Sequence, residues 1–190
     1  MVDGYKIILA SNSPRRQELL KGLDIPFEVK VLQDIDESYP PDIEPAKVPE
    51  YLANKKAEAY ASLVDGDTMV ITADTVVILD GQIYGKPENE THAKQMLAKL
   101  SGKTHQVVTG VCLYTKDKQK TFSAVSDVRF AELSENDIEY YVEKYRPMDK
   151  AGAYGVQEWI GYIAVEYISG SYYNIMGLPV QKLFKELRGF

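Results

Sequence analysis

The apolar residues of this chain fall into short blocks with two different periods, and those blocks set out its elements. Ile7-Ile8-Leu9-Ala10 is a four-residue apolar run of the kind that fills a buried strand. Ser11-Asn12-Ser13 is turn chemistry, and Ser13-Pro14 reads as an N-cap and first helical residue. Leu19, Leu20 and Leu23 then give a helix its apolar face. Residues 27–32 alternate in polarity and predict a second short strand. An Ala-rich helix is expected from 48 to about 63, with Leu52, Ala53, Ala57, Tyr60 and Ala61 on its packing side. Residues 69–79 are the most strand-like run, and Asp80-Gly81 signals a two-residue hairpin returning through 82–84. Ala93, Met96, Leu97 and Leu100 predict a helix over 91–100, stopped by Gly102. A hairpin of 106–115 and 121–133 follows, turning at 116–119. Ser134 caps a helix striped by Ile138, Tyr141, Val142 and Tyr145, and Val180, Leu183, Phe184 and Leu187 stripe a last one.

Strands and helices alternate irregularly, with hairpins interrupting the strand–helix order. That pattern predicts an α/β fold: a mixed sheet flanked by helices, with a central cleft between two lobes. At 190 residues and 45% apolar, one domain spanning 1–190 is expected. The net charge of −6 argues against binding to a nucleic-acid polymer, which needs a broad basic field. An acidic protein still binds a small anion where its basic residues converge. Cys112 is the one cysteine, so no intrachain disulfide forms, in keeping with a reducing compartment. The short first apolar run, followed by Pro-Arg-Arg, is no signal peptide, and no window approaches a membrane span. A cytoplasmic protein is expected. His92 and His105 are far apart in sequence and are expected at the surface.

Two features stand out chemically. The strand–turn–helix at 7–20 aims backbone N–H groups at one point, and Arg15 and Arg16 sit in the first helical turn against the macrodipole. An anion there would offset that cost, and truncating Arg16, like truncating Lys86, should then leave thermal stability flat or slightly improved; a solvated arginine pair is the alternative. Asp74 interrupts the most apolar strand, sharing one face with Val70, Thr72 and Val76. A carboxylate in such a run needs a cation, a metal or a donor, unless a bulge or strand end exposes it. Lys56, on the Ala-rich helix, and the acidic stretch 33–37 also fit a merely solvated surface. Gly85-Lys86-Pro87 lacks the spacing of a Walker A loop.

Taken together, the motifs resemble one family. Ser11-x-Ser13-Pro14-Arg15-Arg16 with Glu18-Leu19-Leu20 is similar to the opening signature of the Maf nucleoside triphosphate pyrophosphatases. Leu52-Ala53-x-x-Lys56-Ala57, Ala73-Asp74-Thr75, Gly85-Lys86-Pro87, the stretch 149–157 and Asn174-x-x-Gly177-Leu178-Pro179 extend the resemblance along nearly the whole chain. It implies a Maf/ITPase-like fold and cleavage of a nucleoside triphosphate between its α and β phosphates with Mg2+ or Mn2+. It further implies Asp74 as base or metal ligand, Glu37 as a second metal contact and Lys56 as a catalytic lysine facing the cleft. Ser11, Arg15, Arg16 and Lys86 would contact the substrate. Gln157, with Arg15 and Thr75, would select the base. The Asp-Lys-Ala-Gly-x-Tyr-Gly-x-Gln version at 149–157 implies dTTP and UTP, since a glutamine amide complements the N3–H and carbonyl edge of uracil or thymine. A nucleotide-sensing regulator of cell division, binding without turnover, is the alternative. The sequence is compatible with a homodimer.

Overall fold

The computed structural model describes residues 4–190. The elements follow the order β1 (Lys6–Leu9), α1 (Pro14–Lys21), β2 (Phe27–Val29), α2 (Val48–Glu58), β3 (Thr68–Leu79), β4 (Gln82–Tyr84), α3 (Glu90–Leu100), β5 (Thr104–Tyr114) and β6 (Gln119–Phe130). α4 (Glu135–Tyr145), α5 (Trp159–Ala164), β7 (Val165–Ser169), α6 (Tyr172–Met176) and α7 (Val180–Arg188) complete it. The sheet is open, ordered β2-β1-β3-β5-β6-β7, with β4 paired to β3. β1 pairs in parallel with β2 and β3, whereas β4 on β3 and β7 on β6 are antiparallel. The expected mixed sheet with helices is therefore present.

The chain forms two compact units. The first takes in the chain up to Thr75, Thr109–Ala124 and Gly177–Phe190; the second takes in Val76–Val108 and Val125–Met176. In the first, Ile8, Tyr60 and Val70 form one buried cluster, and Ala53, Ala57 and Cys112 another. α2 lies so close to β5 there that a Cβ on Gly110 would come within 2.3 Å of the Pro49 carbonyl carbon. In the second unit α3 and α4 supply Ala93, Met96, Leu97, Leu100, Ile138, Tyr141 and Val142 to a larger core around Val77, Val107 and Phe130. Among the described residues no helix is long and apolar enough to cross a membrane.

Several boundaries differ from the expected ones, each for a local reason. α2 ends at Glu58, and Ala61–Leu63 is a separate 3-10 turn. Between them Tyr60 turns inward, accepting the Leu32 N–H at 2.9 Å and donating to the Lys30 carbonyl at 2.9 Å. Those bonds engage the Lys30 carbonyl and the Leu32 N–H, while the Lys30 N–H still donates to the Leu9 carbonyl at 3.2 Å; β2 ends at Val29 rather than running to 32. Asp80 (φ 51°) and Gly81 (φ 75°) make the expected hairpin turn, with Leu79 opposite Gln82. Ser134 accepts the Asp137 N–H while Asp137 accepts the Ser134 N–H, a reciprocal cap that starts α4.

His105 is a correction. It is buried rather than at the surface, packed edge-on against Phe130 and Tyr154, with Nε2 2.7 Å from the Tyr154 hydroxyl. Burial pulls its pKa down to about 4, so the ring is neutral at pH 7. Its apolar neighbours Val107 and Val108 carried the signal that the isolated histidine hid.

Candidate active site

Asp74 belongs to the first unit, in a strand that runs unbroken through it. Two residues earlier the Thr72 hydroxyl donates to the Ala53 carbonyl at 2.6 Å, pinning β3 to α2. Two residues along a strand advance about 6.6 Å and three along a helix about 4.5 Å. That step carries Asp74 up to Lys56, whose Nζ lies 2.7 Å from Asp74 Oδ1. Both side chains are largely buried, at 13% and 15% exposure, so water screens this pair weakly. The carboxylate that looked costly in an apolar strand has its cation.

Glu37 reaches the same ammonium, with Oε1 3.3 Å from Lys56 Nζ. Its loop is fastened to α2 by Asp36, which accepts the Ser38 N–H at 2.9 Å and the Lys55 ammonium at 2.6 Å. Lys55 and then Ser38 hold the Asp36 carboxyl well below the usual carboxylate range. Glu37 and Asp74 thus bracket one positive charge with hard oxygen donors. Among the described residues no group of three or more His, Cys, Asp and Glu forms a closed metal cage. Two carboxylates without a cage suit a divalent cation such as Mg2+, which keeps waters and takes phosphate oxygens as its other ligands.

Arg16 shows how α1 is joined to this centre. Its Nε donates to the Gly177 carbonyl at 2.8 Å, Nη1 to the Ala73 carbonyl at 2.9 Å and Nη2 to Thr75 Oγ1 at 3.0 Å. The guanidinium therefore grips β3 on either side of Asp74. Burial lowers its pKa, opposed by the Asp74 charge. These contacts argue against the expectation that truncating Arg16 costs no stability, because the helix-dipole penalty is a few tenths of a kcal/mol against three hydrogen bonds from a cation. Thr75 Oγ1 also lies 2.9 Å from Thr109 Oγ1, so its hydroxyl is engaged within the protein. Ser11 is buried and accepts the Ser13 N–H at 3.2 Å. Ser13 occupies the N-cap position without a side-chain capping bond. Arg15 is half-buried, and its charge acts on Arg16.

Lys86 and Gln157 belong to the second unit. Lys86 is exposed beside Gly85, whose carbonyl accepts the Gly152 N–H at 3.1 Å, so the loops bearing Lys86 and Gln157 are bonded together. The Gln157 loop folds through Gly152 (φ 67°) and Ala153 (φ 58°) and ends at Glu158, the residue before α5. Gln157 Oε1 is buried with no hydrogen-bond partner among the described residues. Such an acceptor costs about 1–3 kcal/mol unless a donor meets it. Sequence reasoning passed over Thr109 and Glu158, took Tyr141 only as a core position, and gave Lys150 and Gly177 no role beyond their place in the motifs. Only the position of Glu158 directly after the 149–157 motif could have pointed to it.

The family model described as Maf-like protein matches residues 6–190. A protein from Bacteroides thetaiotaomicron named dTTP/UTP pyrophosphatase is 61% identical over 187 residues, covering 98% of this chain and 97% of its own. One of the same name from Phocaeicola vulgatus is 60% identical over 187 residues, with the same shares of 98% and 97%. Among solved structures, a HAM1 protein from Coxiella burnetii matches with a TM-score of 0.53 at 17% identity, over 98% of this chain and 100% of its own. That likeness speaks for the fold alone.

Proposed function

We propose, from the premise that this chain belongs to the Maf family, that it hydrolyses dTTP and UTP to the monophosphate and pyrophosphate, keeping the nucleotide pool clean. The observation that carries the proposal is the Asp74–Lys56 pair with Glu37 beside it. The names borne by the relatives at 61% and 60% identity support it further. In this reading Asp74 takes the proton of the attacking water, or serves instead as a carboxylate that would hold a divalent cation. Lys56 balances the negative charge that gathers there. A divalent cation, Mg2+ or Mn2+, when bound, supplies Lewis-acid polarisation of the phosphate oxygens, and Glu37 and Asp74 are the residues that would hold it. Ser11, Arg15 and Lys86 bind phosphate oxygens. Arg16 fixes the backbone around Asp74 and offers its remaining N–H donors to the substrate. Thr75, with its hydroxyl engaged, shapes the base site, and the unpaired Gln157 Oε1 accepts the pyrimidine N3–H.

Turnover is favoured over a sensing role, because a regulator needs no carboxylate largely buried against a lysine in an apolar strand. Further parts of the proposal are a cytoplasmic location and a homodimer. The exposure of Tyr162 (84%), Tyr167 (62%) and Tyr173 (49%) in the second unit supports a self-association surface, to be checked by solution mass. The test of function is product analysis with dTTP and Mg2+. Equimolar dTMP and pyrophosphate, abolished by a chelator and restored by Mg2+ or Mn2+, are expected. Orthophosphate with dTDP, or binding without turnover, would overturn the proposal.

A further inference from the structure

Around the Gln157 loop the second unit holds a ring of polar contacts that the chemistry at Asp74 does not use. Tyr141, fully buried in α4, accepts the Gly155 N–H at 3.0 Å and donates to Glu158 Oε2. Glu158 Oε1 lies 3.2 Å from Lys150 Nζ, which also meets Asp149 Oδ1 at 2.8 Å. The ring therefore closes on both ends of the segment 150–158 and on its middle. Gly155 sits inside it, where a Cβ would lie 2.9 Å from Glu158 Cδ and 3.0 Å from Lys150 Cε. Lys150 and Glu158 keep only 9% and 20% of their side-chain exposure. An ion pair this far from water adds little net stability, because desolvation offsets its attraction. What such a pair does is fix geometry. Together with the Tyr141 hydroxyl it holds Gly155, two residues before Gln157, and Glu158, the residue directly after it.

We propose that Tyr141, Glu158 and Lys150 are positioning residues for nucleotide selection, holding the 150–158 segment so that the Gln157 amide presents its unpaired oxygen at one place. The inference rests on the reading of Gln157 as the residue that meets the base. Base selection by a single amide depends on placement, since the same side chain in a mobile loop accepts from any donor within reach. Tyr141 stacks on Tyr145 at a ring separation of 5.2 Å, so Tyr141→Phe keeps the packing and removes only the hydroxyl. Glu158→Gln keeps the shape and removes the charge.

The experiment is steady-state kinetics on dTTP, UTP and CTP with wild type, Gln157→Ala, Tyr141→Phe, Glu158→Gln and the Tyr141→Phe/Gln157→Ala double variant. Tyr141→Phe should raise KM for dTTP by about tenfold, the scale of one lost hydrogen bond, with a smaller change in kcat. It should lower the dTTP-to-CTP preference by a similar factor. In the Gln157→Ala background the Tyr141 substitution should change the preference no further, because the residue it positions is gone. A merely structural role would lower melting temperature and leave the preference untouched. An unchanged preference in folded Tyr141→Phe and Glu158→Gln, with a changed one in Gln157→Ala, overturns the positioning role and leaves the base reading intact. If Tyr141→Phe does not fold, Glu158→Gln carries the same readout alone. An unchanged preference in Gln157→Ala removes the base reading and this inference with it.

Discussion

Replacing Arg16 by alanine removes the bonds at 2.8, 2.9 and 3.0 Å that join α1 to Gly177, Ala73 and Thr75. Each joins a charged donor to a neutral acceptor, and about 1–1.5 kcal/mol net, where the range for neutral pairs meets that for charged groups, is a conservative value for it. Together they amount to about 3–4 kcal/mol. Relief of the helix dipole returns only a few tenths. For a chain of this size each kcal/mol moves Tm by about 2–4 °C, so Arg16→Ala should melt about 10 °C below wild type. Arg16→Lys should recover little, because a point charge cannot reach three acceptors in a plane. Thermal unfolding followed by circular dichroism decides the matter. A melting temperature within about 2 °C of wild type would refute the reasoning and return Arg16 to the role of a loosely held phosphate ligand.

Asp74→Asn should keep the fold and lower kcat by about 10²–10⁴, as lost base catalysis does; a folded variant with near-normal turnover would remove Asp74 from the mechanism. His105 gives a pH effect of definite sign. Its folded-state pKa of about 4 lies below the ordinary 6.5, so as pH falls through that window the unfolded chain binds a proton that the folded chain refuses. Stability is lost from about pH 6.5 down to about 4, by about 3 kcal/mol in all. Urea unfolding across that range should show a shallower loss in His105→Phe, and parallel profiles would contradict it.

Much of this was legible because local chemistry and global fold agree. Asp80-Gly81 could turn only one way, the stripe of Ala93, Met96, Leu97 and Leu100 had one buried side, and the unexplained carboxylate at 74 marked the site. The sequence was silent on the partner of Asp74, because the Thr72–Ala53 bond that delivers Lys56 is a long-range contact. It was silent on the acceptors of Arg16 for the same reason: helix position predicts the dipole term, and the acceptors lie 57 to 161 residues away. α5, β7 and α6 were missed because residues 159–176 mix aromatic, β-branched and small residues without a sustained period.

The central claim, a pyrimidine triphosphate pyrophosphatase working through Asp74 and reading the base with Gln157, is tested most directly by one rate panel. Pyrophosphate release from dTTP, UTP, CTP and GTP would be measured with Mg2+ for wild type, Asp74→Asn and Gln157→Ala. Wild type should turn over both dTTP and UTP, differing by no more than about 10–200-fold since one methyl is worth about 1–3 kcal/mol, and CTP and GTP more slowly than either. Asp74→Asn should slow every substrate alike, while Gln157→Ala should narrow the differences between bases. Equal wild-type rates on dTTP, CTP and GTP, or the same base profile in Gln157→Ala as in wild type, would contradict the account.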